Sequence, residues 1–297
     1  MVTKPQDENC ISQEPIPSDG SKTNRPTILI FDSGVGGLSI YDEVRQLLPD
    51  LHYIYVFDNE AFPYGEKPEA FIVQRVVDIV AATERLHALD MVIVACNTAS
   101  TISLPALRER FACPIVGVVP AIKPAAKLTR NGIVGLLATR ATVQRGYTLD
   151  LIAKFAADCH IIPLGSAELV ELAEAKLHGE SIALPVLQKI LRPWLRLPEP
   201  PDTVVLGCTH FPLLAEELKA VLPDGTRLVD SGSAIAKRAA WLIAHDIIPV
   251  PAGVADGDKV NTAYCLSATP QAMELVPVLQ RYGFVSLEKL PILESVE

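Results

Sequence analysis

Residues 27–48 read TILIFDSGVGGLSIYDEVRQLL, and their pattern decides the fold. The six residues ending at Asp32 are an apolar run of strand length, SGVGG makes a turn, and Leu38, Tyr41, Val44 and Leu48 then recur on one helical face. The alternation continues outward from there. Strands are expected at 53–58 (YIYVFD), 91–96 (MVIVAC) and 114–119 (PIVGVV), with helices at 69–89 and from Cys96 through Leu107. Further on, strands are expected at 132–137, 159–164, 203–208 and 227–230. Helices are expected at 142–155, 167–177, 184–195 and 213–221, and one through Trp241. Residues 249–258 read as a loop, and strands at 261–266 and 285–287 flank a last helix. Strands this apolar, spaced by helical patterns, imply an α/β protein whose parallel sheets are covered on both faces.

The 297 residues carry 26 basic and 35 acidic side chains, a net charge of −9, which removes the positive footprint a nucleic-acid surface needs. No run approaches the roughly 18 apolar residues of a membrane span. With 49 % apolar residues, the chain can bury the cores of about two domains at roughly 150 residues each. Residues 1–26 are polar and proline-bearing, without the apolar stretch of a signal peptide, and read as a disordered extension. The six cysteines lie far apart with no C-x-x-C pair, which suits reduced thiols in a cytoplasmic protein.

Two of those cysteines share a design. In MVIVACNT (91–98) and VVLGCTH (204–210) an apolar strand runs through a small residue into Cys96 or Cys208, and a helix follows. In open α/β sheets ligands sit outside the carboxyl ends of the strands, so each half delivers one thiol to a site position. At a helix start, free N–H groups and the dipole are expected to lower a thiol pKa. Cys113, Cys159 and Cys265 read as packing residues and Cys10 lies in the extension. Asp32 closes its own strand, and His210 follows Cys208 by two residues.

Three chemistries fit Asp32, Cys96, Cys208 and His210. A dinucleotide site is suggested by the glycines after a strand, with Asp58 as a ribose partner, but the third glycine of G-x-G-x-x-G is absent. Equally, those glycines would let backbone N–H groups approach a small carboxylate. A zinc site, as in a zinc-dependent hydrolase, has four acceptable ligands, but C-x-H spacing is tight for it. The third is two-base proton transfer at carbon, with one thiol on each face of a stereocentre, and it fits the residues best.

FDSGVGG (31–37), PYGEK (63–67), ACNTAS (95–100) and LGCTHFPLL (206–214) together resemble the aspartate/glutamate racemase family, and among its members the glutamate racemases, from Thr27 to the last helix. The resemblance implies two parallel-sheet α/β domains related by pseudo-symmetry, one from 27–118 plus 230–297 and the other from 119–229, with the active site in the cleft. It implies racemisation of glutamate for peptidoglycan without a cofactor or metal, a related acid such as aspartate being the alternative substrate. Cys96 and Cys208 would be the two acid/base residues, assisted by Asp32 and His210, with Glu174 near His210. Substrate contacts carry over to Asp32, Ser33, Tyr64, Gly65, Asn97, Thr98, Thr209 and His210. Proteobacterial members with such a tail resemble enzymes activated by UDP-N-acetylmuramoyl-L-alanine. The matching positions here are Arg108, Gly117, Val118, Val119, Pro120, Ala121, Ile122 and Lys123, with Lys127 as a further cation. Some members of the family bind DNA gyrase, which makes that protein an expected partner; direct contact with nucleic acid or membrane is not expected.

Overall fold

The computed structural model describes residues 25–245 and 260–292. Most of the expected N-terminal extension, Cys10 within it, and the expected loop at 249–258 lie outside the described residues. The first part of the chain runs β1 (Thr27–Asp32), α1 (Leu38–Leu47), β2 (His52–Phe57), α2 (Glu69–Leu86), β3 (Met91–Val94), α3 (Asn97–Arg110) and β4 (Ile115–Gly117). It continues through α4 (Ile122–Leu128), β5 (Ile133–Ala138), α5 (Arg140–Gln144), α6 (Gly146–Phe155), β6 (His160–Gly165), α7 (Glu168–Leu177) and α8 (Leu184–Leu195). Then come β7 (Thr203–Leu206), α9 (Ala215–Val221), β8 (Arg227–Val229), α10 (Gly232–Ala244), β9 (Thr262–Cys265), α11 (Pro270–Met273), α12 (Val276–Arg281) and β10 (Ser286–Lys289).

The strands form two sheets, a six-stranded one in the order β10-β9-β2-β1-β3-β4 and a four-stranded one in the order β6-β5-β7-β8. Every pairing is parallel, as the apolar runs require. The residues of β1, β2 and β3 are all buried, and their alternate side chains feed two separate cores. Ile28, Ile30, Tyr53 and Tyr55 meet α1 and α10 on one face, while Leu29, Phe31, Ile54 and Val56 meet α2 and α3 on the other. Each such side chain contributes about 1.5–3 kcal/mol by leaving water. β6 is the edge of the smaller sheet, partly exposed, and its Pro163 is tolerated there because an edge strand can lack one N–H. The chain leaves the large sheet after β4, builds the small sheet from β5 to β8, and returns through α10 to β9 and β10.

Two elements depart from expectation. The single helix expected at 142–155 is two, because Arg145 is extended (φ −70°, ψ 139°) and Thr139 starts a new turn by accepting the Thr142 N–H on its hydroxyl. A helix at α4 was not expected, since seven residues are too few for a periodic signal. Pro124 is compatible with it because its missing N–H falls in the first turn.

Candidate active site

Cys96 lies just beyond β3 and Cys208 just beyond β7, each a strand next to the middle of its sheet, so both thiols arrive at carboxyl ends. Both line one cavity of about 250 Å³, with Asp32 and Ser33 from the end of β1 and the segment 62–66 as a further wall. The cavity takes residues from both sheets' strand ends, as parallel α/β architecture places ligands.

On one side the Ser33 hydroxyl lies 3.3 Å from Cys96 Sγ, and the sulfur caps α3 by accepting the Ala99 N–H at 3.4 Å. Asp32, fully buried, accepts the Ser33 N–H at 2.8 Å and the Gly37 N–H at 2.6 Å. Burial nevertheless pushes its carboxyl up to about 6, opposing the His210 charge and these two hydrogen bonds. The Cys96 thiol is likewise pushed up, to about 12, first by burial and then by the Asp32 charge; Ser33 and Ala99 only moderate this. The expectation that a helix start would lower the pKa of this thiol is thereby overturned, because desolvation outweighs one N–H contact.

On the other side, Cys208 Sγ lies 3.7 Å from His210 Nδ1, and His210 Nε2 lies 2.6 Å from Glu174 Oε1. Glu174 also accepts the Val35 N–H at 3.0 Å, a contact from the first glycine turn to α7 of the small-sheet half. Burial disfavours the imidazolium, but the hydrogen bonds to Cys208 and Glu174 and their charges win, holding His210 well above the usual imidazole value. Burial also opposes ionisation of Glu174, yet His210 and the Val35 N–H keep its carboxyl below the ordinary value. Glu174 thus lies against His210, where the resemblance put it.

The glycines of 31–37 have a packing reason. A Cβ on Gly36 would strike the His210 ring, and one on Gly34 would come within 2.6 Å of Glu174 Oε1. A Cβ on Gly37 would come within 2.8 Å of Asp32 Cβ. Asp58 cannot serve a ribose as expected: its buried carboxylate accepts the Ala61 N–H, the Tyr64 hydroxyl at 2.7 Å, and a bidentate pair from Arg75 at 2.8 and 2.9 Å. Tyr64 therefore faces the cavity without its hydroxyl. Among the described residues no three His, Cys, Asp or Glu side chains are grouped to hold a metal ion, so the zinc reading of Asp32, Cys96, Cys208 and His210 finds no geometry.

Gly65, Asn97, Thr98, Thr209 and His210 all line the cavity, and Asn97 Oδ1 is buried there without a partner among the described residues. The positions matched to the activator are Arg108 in α3 and the continuous segment from Gly117, at the end of β4, to Lys123 in α4. Arg108 donates to the Ile115 carbonyl and lines, with Gly117, a surface pocket that also holds Arg238. Val118, Pro120, Ala121 and Ile122 are buried, Val119 accepts the Ser231 hydroxyl, and Lys123 Nζ sits 5.1 Å above the Phe155 ring. Sequence reasoning missed Phe62, whose ring centroid is 6.0 Å from that of His210, and Thr139, Arg140 and Thr142, which also line the cavity. Thr139 follows β5 as Cys208 follows β7, so the strand-end rule itself would have found it.

Comparison with known proteins identifies the family. Residues 28–239 match the family model described as Asp/Glu/Hydantoin racemase. A glutamate racemase of Sodalis glossinidius is 72 % identical over 286 residues, covering 96 % of this chain and 98 % of that one. The crystal structure of Escherichia coli glutamate racemase in complex with L-glutamate and the activator UDP-MurNAc-Ala is 68 % identical, with a TM-score of 0.86 over 91 % of this chain and 100 % of that one. Glutamate racemase RacE1 of Bacillus anthracis, at 26 % identity, superposes with a TM-score of 0.75 over 90 % of this chain and 98 % of that one. By sequence and by fold, the chain belongs to the aspartate/glutamate/hydantoin racemase family.

Proposed function

We infer that this chain interconverts L- and D-glutamate, with Cys96 and Cys208 carrying the proton on opposite faces of Cα. The observation that carries the reading is the arrival of two thiols at one cavity from two different sheets, Cys96 beside Ser33 and the Asp32 charge, and Cys208 beside His210, which Glu174 holds. One sulfur, as thiolate, takes the α-hydrogen as the Cα–H bond breaks. The other, as thiol, gives its proton to the opposite face as the new Cα–H bond forms. The reverse direction exchanges the roles.

The surroundings suit that chemistry. The α-hydrogen of an ammonium carboxylate is weakly acidic, so a dry, preorganised pocket has to supply much of the stabilisation. His210, protonated and held by Glu174, is placed to donate to Cys208 Sγ. Asp32 is ionised at neutral pH and meets the substrate ammonium, which also offsets the charge that adds to burial in keeping Cys96 protonated. Asn97 Oδ1, an unused buried acceptor, suits the same ammonium. The hydroxyls of Ser33, Thr98 and Thr209 and the backbone of Gly65, which line the cavity, would meet the carboxylates. Two domains, 27–118 with 230–297 and 119–229, closing on this cavity would exclude water. No helix among the described residues is long and apolar enough to cross a membrane. The D-glutamate formed would supply peptidoglycan synthesis in the cytoplasm.

The relative from E. coli was crystallised with UDP-MurNAc-Ala as activator, and at 68 % identity the same nucleotide is the activator proposed for this chain. A chiral assay of L-glutamate with and without UDP-N-acetylmuramoyl-L-alanine tests both readings. D-glutamate should accumulate to equality, faster with the nucleotide. Absence of any D-glutamate overturns the activity, and equal rates overturn the regulation.

A further inference from the structure

The loop that carries Cys208 and His210 has a backbone defect. In the turn Thr209–Pro212 the Thr209 carbonyl would accept the N–H of the residue three positions on, but that residue is Pro212, which has none. The Leu213 N–H goes instead to the His210 carbonyl at 3.1 Å, and the Phe211 N–H to the Cys208 carbonyl at 3.1 Å. Thr209 is buried, 4 % exposed, and an unpaired buried carbonyl would cost about 1–3 kcal/mol. The missing donor comes from the other half. Ser39, in the first turn of α1, places its hydroxyl 2.7 Å from the Thr209 carbonyl oxygen. The Gly36 carbonyl, 2.8 Å from the same hydroxyl, already accepts the Ser39 N–H at 3.0 Å, so Thr209 is the acceptor in need.

We propose that Ser39 is a positioning residue: by supplying the donor that Pro212 lacks, it docks the Cys208–His210 loop on the glycine turn of the opposite half and sets the sulfur of Cys208 against Cα. This rests on the two-thiol reading above. Together with Val35 N–H to Glu174, it makes two contacts from 35–39 to the Cys208 side of the cavity. Cys96 takes its own position from β3 and α3 and does not depend on either.

The dependence of one sulfur and not the other gives the test. Enantiomers are equal in free energy, so kcat/KM must be the same in both directions for any variant. Isotope effects need not be. If Ser39→Ala raises only the barrier for proton transfer at Cys208, that transfer becomes more rate-limiting. The substrate deuterium effect then grows for the enantiomer deprotonated by Cys208 and shrinks for its mirror image. The experiment measures kcat/KM with α-protio and α-deuterio glutamate of both hands for the full-length protein and for Ser39→Ala, Ser39→Thr and Ser39→Ala/Pro212→Ala. A fall of about tenfold to a hundredfold is expected for Ser39→Ala. The two isotope effects should diverge, with recovery in Ser39→Thr, which keeps the hydroxyl, and in the double variant, which restores an N–H at 212. Isotope effects that stay level or move together in Ser39→Ala, or no recovery in either rescue, overturn the positioning role. A parent protein that never exchanges the α-hydrogen overturns the racemase reading beneath it, a distinguishable result.

Discussion

His210 Nε2 and Glu174 Oε1 lie 2.6 Å apart, against the backbone of Gly34 and Gly36, so a pair from one half is seated on the glycine turn of the other. Gly34 and Gly36 carry no side chain because the pair occupies the space that their Cβ atoms would fill. This relation makes Gly36 a contact point between the halves.

Gly36→Ala would drive a methyl into the His210 ring, which its bonds to Glu174 and Cys208 keep from turning aside. Overpacking of this kind costs about 1–3 kcal/mol. Because relief moves His210, turnover is expected to fall by about a hundredfold. Thermal unfolding and racemisation measured on the same variant check it, and wild-type turnover would contradict the packing.

Asp32 links stability to pH in the unusual direction. Its carboxyl titrates at about 6 in the folded chain, above its value when unfolded, so between pH 4 and 6 the native state binds the extra proton. Stability must therefore fall as pH rises through that window, by about 3 kcal/mol. Below pH 4 both states hold the proton and the contribution is fully present. Asp32→Asn removes the titration, so the stability of the parent relative to this variant should drop across pH 4–6 in denaturant unfolding. A difference that stays constant with pH contradicts the burial argument.

Asp58 is buried, and Arg75 supplies two of its hydrogen bonds. Arg75→Leu would leave the carboxylate without its counter-charge, at a cost of about 3–5 kcal/mol. The companion Asp58→Asn/Arg75→Leu should recover part of that loss in equilibrium unfolding. Because Tyr64 hangs on the same carboxylate, KM for glutamate should rise in the single variant. Unchanged stability on losing Arg75 would show that the pair contributes nothing.

The sequence reveals what local chemistry decides. The strands were readable because apolar residues fill both faces, Cys96 and Cys208 because each follows such a strand, and Asp32 because it ends one. His210 was within reach because it neighbours Cys208. Glu174 was reached through the family resemblance and not through periodicity; the Val35 N–H and His210, brought by tertiary contact, are what hold it. The Cys96 thiol was misjudged for a related reason: a helix start is visible in sequence, whereas complete desolvation beside Asp32 is not. Asp58 looked available because nothing local pairs it with Arg75, 17 residues on in α2. Ser39 and Pro212 stand 173 positions apart in number, and nothing local joins a helix serine to a proline in another half.

The most direct test of opposed thiols follows the hydrogen itself. L- or D-glutamate is incubated with the protein in deuterated water, and both hands are separated at early conversion for mass spectrometry. With two separate acids, product molecules should carry α-deuterium from the first turnover while unreacted substrate stays protio. Product that retains the original α-hydrogen would mean a single group moving it across, and the two-thiol account would be wrong.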